Sequence, residues 1–286
     1  MTENYRDFEI EKLHDAFYVI RKTKACNIGV CIRNGAALAL DSGRLPGASA
    51  ALIRMLHQDM SSQVELLFNT HHHADHTFGN QSFHCPIMST KACRDTMREI
   101  LSTYWAPSEI EQAKVEEPEL ADEWKDLVIT VPTAIFEGET TYDFHGLKVI
   151  FRQVDGHTDG SAVAYFPEFK LLFAGDLVFG DMYPTLLFDG DPYHLVEALR
   201  NIMTMDVEVV VPGHGAICDK STVKKSIDYW NCLISECRDF IDSGIENEKI
   251  VELLVSICQL DGVELSERRH KRNIGSVLNF IRRNFS

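Results

Sequence analysis

Residues 64–79 constrain this chain more than any other stretch. An apolar, β-leaning run, Val64-Glu65-Leu66-Leu67-Phe68, leads into Thr70-His71-His72-His73-Ala74-Asp75-His76, and Phe78-Gly79-Asn80 closes it with a turn. Four of the chain's twelve histidines lie between Thr70 and His76, beside one carboxylate. Neutral imidazole nitrogen and carboxylate oxygen are the donors that zinc and other first-row metals prefer. Side chains two apart on extended backbone share a side, so His71 and His73 can grip one ion. Asp75 and His76 follow in a turn and can face a second. A strand that ends in this way is a rigid element delivering ligands to a site, and it requires a sheet behind it.

The same grammar recurs three times. Val149–Val154 runs into Gly156-His157-Thr158, Leu171-Leu172-Phe173 into Gly175-Asp176, and Val209-Val210-Val211 into Pro212-Gly213-His214-Gly215. Each places a ligand-type residue just past an apolar strand, next to a glycine. A tag or an adventitious histidine tract lacks such partners, and this cluster is internal and bracketed by structure signals.

Taken in order, His71-x-His73-x-Asp75-His76, His157, Asp176 and His214 resemble the motif set of the metallo-β-lactamase-fold hydrolase superfamily, over roughly residues 15–219. The resemblance implies that His71, His73 and His157 hold one metal and that Asp75, His76 and His214 hold a second, with Asp176 bridging both. It implies two divalent cations per chain, zinc first, with iron and manganese as alternatives. It also implies a four-layer αβ/βα sandwich of two mixed β-sheets flanked by helices. Two cations about 3.5–4 Å apart can share a water and bring its pKa toward neutrality, so a bridging hydroxide would attack a small ester, thioester or lactone. Asp75 is the candidate catalytic residue, orienting the nucleophile or carrying a proton to the leaving group. No Gly-x-Ser-x-Gly elbow is present to supply a serine nucleophile.

Ligand identity narrows the resemblance. The lactam-cleaving branches that use cysteine at the second metal place it where Asp176 stands, the di-iron flavoproteins replace His73 with glutamate, and the acyl-homoserine lactonases carry tyrosine where Phe179 stands. The set most resembles the glyoxalase II-like thioesterase and ester hydrolase branch, although the C-terminal third lacks the glutathione-binding pattern of glyoxalase II itself. Tyr183 and His194 are the candidate substrate-binding residues. Two alternatives share parts of the motif: a phosphodiesterase or RNA-processing nuclease, and an iron-dependent persulfide dioxygenase.

The rest of the chain supplies scaffold. Asn34-Gly35 is a hairpin signal between Ile28–Ile32 and Ala36–Leu40, and Asp41 at the next turn is a candidate to orient a ligand histidine. A helix is expected over Pro46–Gln58 and another over 90–102, capped by Ser89 or Thr90. Parallel pairing is expected for 36–41 with 64–69. Residues 103–127 read as a helical surface excursion or a lid. From 128 to 176 short β-runs, beginning with Val128–Val131 and Ala134–Phe136, suggest a second, mainly antiparallel sheet. Helices are expected over 221–243, 246–259 and 266–284. The domain expectation is a hydrolase domain over 1–219 and a C-terminal helical extension over 220–286, a candidate for self-association as a homodimer.

The net charge of −15 argues against a polyanionic partner, so a small-molecule substrate and no nucleic acid are expected. No apolar run approaches the about 20 residues that span a bilayer. The polar, acidic start and eight scattered cysteines suggest a cytoplasmic protein whose cysteines are buried apolar residues, without a disulfide framework.

Overall fold

The computed structural model describes residues 8–21, 23 and 25–285. The chain forms two compact units. The first runs to Gln153 and includes Gly160–Phe169; the second comprises Val154–Asp159 and the residues from Lys170 onward.

In the first unit, seven strands follow one another across one sheet in chain order: β1 (Glu9–His14), β2 (Phe17–Arg21), β3 (Ile28–Arg33), β4 (Ala36–Leu40), β5 (Gln63–Phe68), β6 (Ile87–Thr90) and β7 (Ala134–Phe136). The β3–β4 turn places Asn34 at φ 53° and Gly35 at φ 78°, the left-handed pair that an Asn-Gly hairpin uses. Strand β4 pairs antiparallel with β3 and parallel with β5, which pairs parallel with β6. Between β4 and β5 lies α1 (Pro46–Gln58), as expected from Pro46 at its first turn. Its Leu52, Met55 and Leu56 bury against Ile20, Ile28, Val30 and Ala37. At about 2 kcal/mol for each such side chain, this face accounts for the helix docking where it does.

All five residues of β4 are buried, because the other face of the sheet is covered too. A second sheet of five strands begins in the first unit with the antiparallel run β8 (Glu139–Phe144), β9 (Leu147–Gln153) and β10 (Ala162–Phe166). Phe68 of β5 stacks on Phe151 of β9 with centroids 4.3 Å apart, and Phe17 of β2 meets Phe166 of β10 edge-on at 5.0 Å.

Four short helices, α2 to α5, connect these parts of the first unit. A single turn, α2 (Ala74–Thr77), follows β5. The next helix, α3 (Lys91–Ile100), is capped by Thr90, which accepts from Cys93 N–H and donates to Gly160 O at 2.7 Å. Then come α4 (Pro107–Glu116) and α5 (Pro118–Ala121), the helical excursion expected in 103–127. Trp124 anchors that excursion, edge-on to Phe78 and with its indole N–H on Arg44 O.

Two sequence expectations fail here. Residues 128–131 form no strand, and β7 pairs parallel with β6 in the first sheet instead of opening the second. Val128 is exposed, and its N–H donates to Gln81 Oε1, so the segment is held by a side chain instead of a ladder.

The second unit contains β11 (Leu171–Gly180) and β12 (Val209–Gly215), a parallel pair that makes the second sheet mixed. All ten residues of β11 are buried, the signature of a strand covered on both faces. Helices α6 (Pro192–Thr204) and α7 (Lys220–Asp242) pack on β11 and on each other, and α8 (Asn247–Ile257) and α9 (Glu267–Phe285) follow. The three C-terminal helices lie where the sequence pattern places them. The fold is therefore the expected α/β class, two mixed sheets flanked by helices, with C-terminal helices.

One cysteine expectation is corrected. Cys232 of α7 and Cys258 at the end of α8 form a disulfide, whereas the other six cysteines are free and mostly buried. The two meet only because α7 and α8 fold back on each other, which their separation of 26 residues does not announce.

Candidate metal centre

The first unit carries the histidine cluster. After β5 the chain bends at Thr70 and His71 and reaches His73 at the N-cap of α2, and the short helix then presents Asp75 and His76. His71 and His76 are buried. His71 Nε2 lies 3.0 Å from His73 Nδ1, the His71 and His76 rings are 4.1 Å apart, and Asp75 Oδ2 is 3.9 Å from His76 Nε2. The sequence-predicted ligands of this stretch are thus held together by the unit itself.

Their orientation comes from Asp41. It ends β4 at φ 62°, fully buried, and its backbone N–H donates to Phe68 O at 2.7 Å. Its Oδ1 accepts from Thr70 N–H at 2.8 Å, and its Oδ2 accepts from the Thr70 hydroxyl at 2.8 Å and lies 2.7 Å from His76 Nδ1. An ionised carboxylate only accepts, so His76 carries its proton on Nδ1 and directs the Nε2 lone pair outward. The Thr70 hydroxyl gives its only proton to Asp41, and therefore accepts from His71 Nδ1 at 3.0 Å. His71 is thereby fixed as the tautomer with its lone pair on Nε2. The expectation for Asp41 holds. The role of Thr70 was missed, since a threonine before a histidine carries no sequence signal of its own.

Tight backbone packing supports this arrangement. Gly79 donates its N–H to Gly43 O at 2.9 Å, and a Cβ there would collide with Ser42 O and Ser49 Oγ. Cys26 is buried beside His76, where burial pushes its thiol up to about 11.

The second unit carries the remaining predicted ligands. His157 follows Gly156, whose φ of 103° and close approach to the Leu195 backbone exclude a side chain. Asp176 lies within β11, and His214 lies within β12 opposite Phe179. The two carboxylate oxygens of Asp176 serve different histidines: Oδ2 is 3.6 Å from His157 Nε2, and Oδ1 is 3.4 Å from His214 Nε2. Phe179 stacks on His214 with the rings 11° from parallel and 5.5 Å apart, and it also flanks His157. Where the sequence reading saw only a missing tyrosine, the structure shows the ring that seats two imidazoles.

These spacings fit metal ligation. Donors about 2.0–2.1 Å from a tetrahedral ion lie about 3.3–3.4 Å from each other. Asp176 meets both histidines near that edge length, each through a separate oxygen. Gly213 makes the room, for a Cβ there would collide with Asp176 Oδ1.

The two substrate candidates part ways. Tyr183 is buried, and its hydroxyl accepts from Leu260 N–H at 2.9 Å, so it fastens the segment that follows α8. Its position three residues beyond an apolar strand gave no hint of that burial. His194 is exposed, lies 3.2 Å from the Asp191 carboxylate that caps α6, and lines a cleft of about 500 Å3 with Asp155, Asp159, Phe188 and Arg283.

The sequence model of the metallo-beta-lactamase superfamily matches residues 24–214. The chain belongs to this superfamily. Among curated relatives, the hydroxyacylglutathione hydrolase of Brucella anthropi is 25% identical over 212 residues, which cover 73% of this chain and 69% of that enzyme. The hydroxyacylglutathione hydrolase of Crocosphaera subtropica is 28% identical over 165 residues, covering 56% of this chain and 53% of its own length. Among solved structures, a metallo-beta-lactamase from Pontibacter korlensis superposes with a TM-score of 0.62 at 18% identity, covering 79% of this chain and 99% of that one. At that identity the likeness establishes the fold alone. A metal-binding hydrolase of the superfamily is the reading that this membership carries. Among the described residues no helix is long and apolar enough to cross a membrane.

Proposed function

We propose that this chain is a two-metal hydrolase of small thioesters or esters. The observation that carries the reading is Asp176, whose two carboxylate oxygens address two different imidazoles at near-tetrahedral edge lengths. In this reading His71, His73 and His157 would hold one cation, Asp75, His76 and His214 would hold the other, and Asp176 would serve both. Zinc is the expected metal, given the predominance of imidazole donors. When bound, such a pair supplies Lewis acidity that polarises a carbonyl and acidifies a water.

The chain's own residues set the rest. Asp41 and Thr70 keep the His71 and His76 lone pairs aimed outward, so no tautomer change precedes ligation. Asp75, whose side chain is 34% exposed, is the proposed carrier of a proton to the leaving group. Phe179 shields His157 and His214 from water. His194 is the proposed substrate contact. The thioester preference rests on the relatives named as hydroxyacylglutathione hydrolases. The net charge of −15 disfavours a nucleic-acid substrate.

The test pairs metal analysis with a panel of thioester, ester, lactone and bis-p-nitrophenyl phosphate substrates. Two zinc per chain and chelator-sensitive thioester or ester turnover are expected. Turnover of the phosphodiester alone would sink the acyl reading, and one iron with oxygen uptake would replace it with the dioxygenase.

A further inference from the structure

We propose that the Cys232–Cys258 disulfide is a thiol-exchange site, at which a low-molecular-weight thiol forms a mixed disulfide with Cys232 and releases Cys258. This inference stands apart from the hydrolase reading.

Three observations carry it. First, the bond lies at the wall of a cleft of about 400 Å3 between α7 and the end of α8, lined by Lys224, Lys225, Asp228, Tyr229, Gln259 and Asp261 together with both cysteines. A small thiol can therefore reach it. Second, the cleft is locally charge-balanced, with Lys224 Nζ 2.7 Å from Asp228 and Lys225 Nζ 3.9 Å from Asp261. In a chain of net charge −15, this is a place where an attacking thiolate meets no excess of negative charge. Third, the two cysteines are unequally buried. Cys258 is 1% exposed, whereas Cys232 is only partly buried, so attack falls on Cys232.

The step balances. The thiolate attacks Cys232 Sγ, the S–S electron pair leaves on Cys258 Sγ, and Cys258 takes up the proton that the incoming thiol gave up. Cys258 is the C-cap of α8, where the helix end disfavours negative charge, so the thiol is its resting product. One disulfide has replaced another. A second thiol can then attack the mixed disulfide. The two thiols together lose two electrons as they join, and the protein pair gains two electrons and two protons.

Release of Cys258 has a structural route onward within the second unit. Leu260, two residues beyond it, donates its N–H to the Tyr183 hydroxyl. Tyr183 opens a segment held by Arg269 on Tyr183 O at 3.0 Å and by Asn273, which bonds Pro184 O at 2.8 Å and Leu186 N at 3.0 Å. The segment ends at Asp191, whose N–H donates to Gly156 O beside His157. Opening the disulfide frees residues 258–261 from α7 and loosens the first of these fastenings.

The test uses the full-length, metal-loaded protein, isolated without reductant and incubated anaerobically with reduced glutathione or 2-mercaptoethanol. Samples are quenched with N-ethylmaleimide and mapped by peptide mass spectrometry. A reduced thiol adds only to an existing disulfide, so the six free cysteines stay silent as adducts. The expected result is an adduct on Cys232 at least about tenfold over Cys258, with maleimide on Cys258. Cys258→Ser protein should give no adduct under the same conditions. Amide exchange over 183–191 should quicken in the treated protein. An adduct mainly on Cys258, a bond that resists thiol until the protein is denatured, or eight alkylatable thiols before any reductant is added would each overturn the exchange site. Unchanged exchange over 183–191 would overturn the route from it. None of these readouts depends on turnover, so failure of the hydrolase assignment would leave them intact.

Discussion

Replacing Asp41 by asparagine changes one atom and tests how the ligand histidines are aimed. The carboxylate accepts from Thr70 N–H, from the Thr70 hydroxyl and from His76 Nδ1–H, all within 2.8 Å. An asparagine can keep its oxygen on Thr70 N–H, but its NH2 group then faces two groups that were donors. The strain is relieved when the Thr70 hydroxyl turns and His76 moves its proton from Nδ1 to Nε2, the atom meant for the metal. Loss of such a supporting carboxylate costs about 10–100-fold in metal affinity or activity. That is about 1.4–2.7 kcal/mol at 1.36 kcal/mol per factor of ten. The metal-free fold should weaken as well. Two charge-assisted bonds of about 1.5–3 kcal/mol each become neutral bonds of about 1 kcal/mol, a loss of about 1–4 kcal/mol. Competition with a chromophoric chelator measures the first quantity, and urea unfolding of metal-free protein measures the second. A variant that binds metal within about twofold of wild type would refute the orienting role, since the weakest expected effect is about tenfold.

Two further outcomes follow from the geometry. Gly213→Ala places a methyl group against Asp176 Oδ1, so the carboxylate must rotate; the variant should lose about 10–100-fold in affinity for the more weakly held metal, read as metal content after dialysis, and full occupancy would contradict the shared-carboxylate reading. His270 is buried, within 2.9 Å of Tyr229 Oη and 3.2 Å of Leu254 O, and burial lowers its pKa from 6.5. The folded protein therefore keeps it neutral where the unfolded chain takes up a proton, so its contribution is complete above about pH 6.5 and declines as pH falls below that. Unfolding free energies measured across that range should fall more steeply for wild type than for His270→Gln, and parallel curves would exclude His270 as the cause.

Much of the site could be read before any fold was known, for a specific reason. Ligand chemistry is local: His71, His73, Asp75 and His76 sit within six positions, and each later ligand is flagged by an apolar run before it and a glycine beside it. Those glycines proved to be steric requirements, Gly156 against Leu195 and Gly213 against Asp176. Helix α1, the Asn34-Gly35 hairpin and the parallel β4–β5 pair were legible in the same way, because their signals lie within a few residues of one another.

What the sequence alone determined, then, was the donor set, its order and the strands that present it. Only tertiary structure decided which sheet β7 joins, because pairing partners are chosen by distant backbone and a three-residue strand carries no address of its own. It decided that Tyr183 is buried with its hydroxyl on Leu260 N–H, and that Cys232 meets Cys258. It also decided that Thr70 and Asp41 set the protons of His71 and His76. In each case the deciding term is a contact between residues far apart in the chain, which local pattern does not encode.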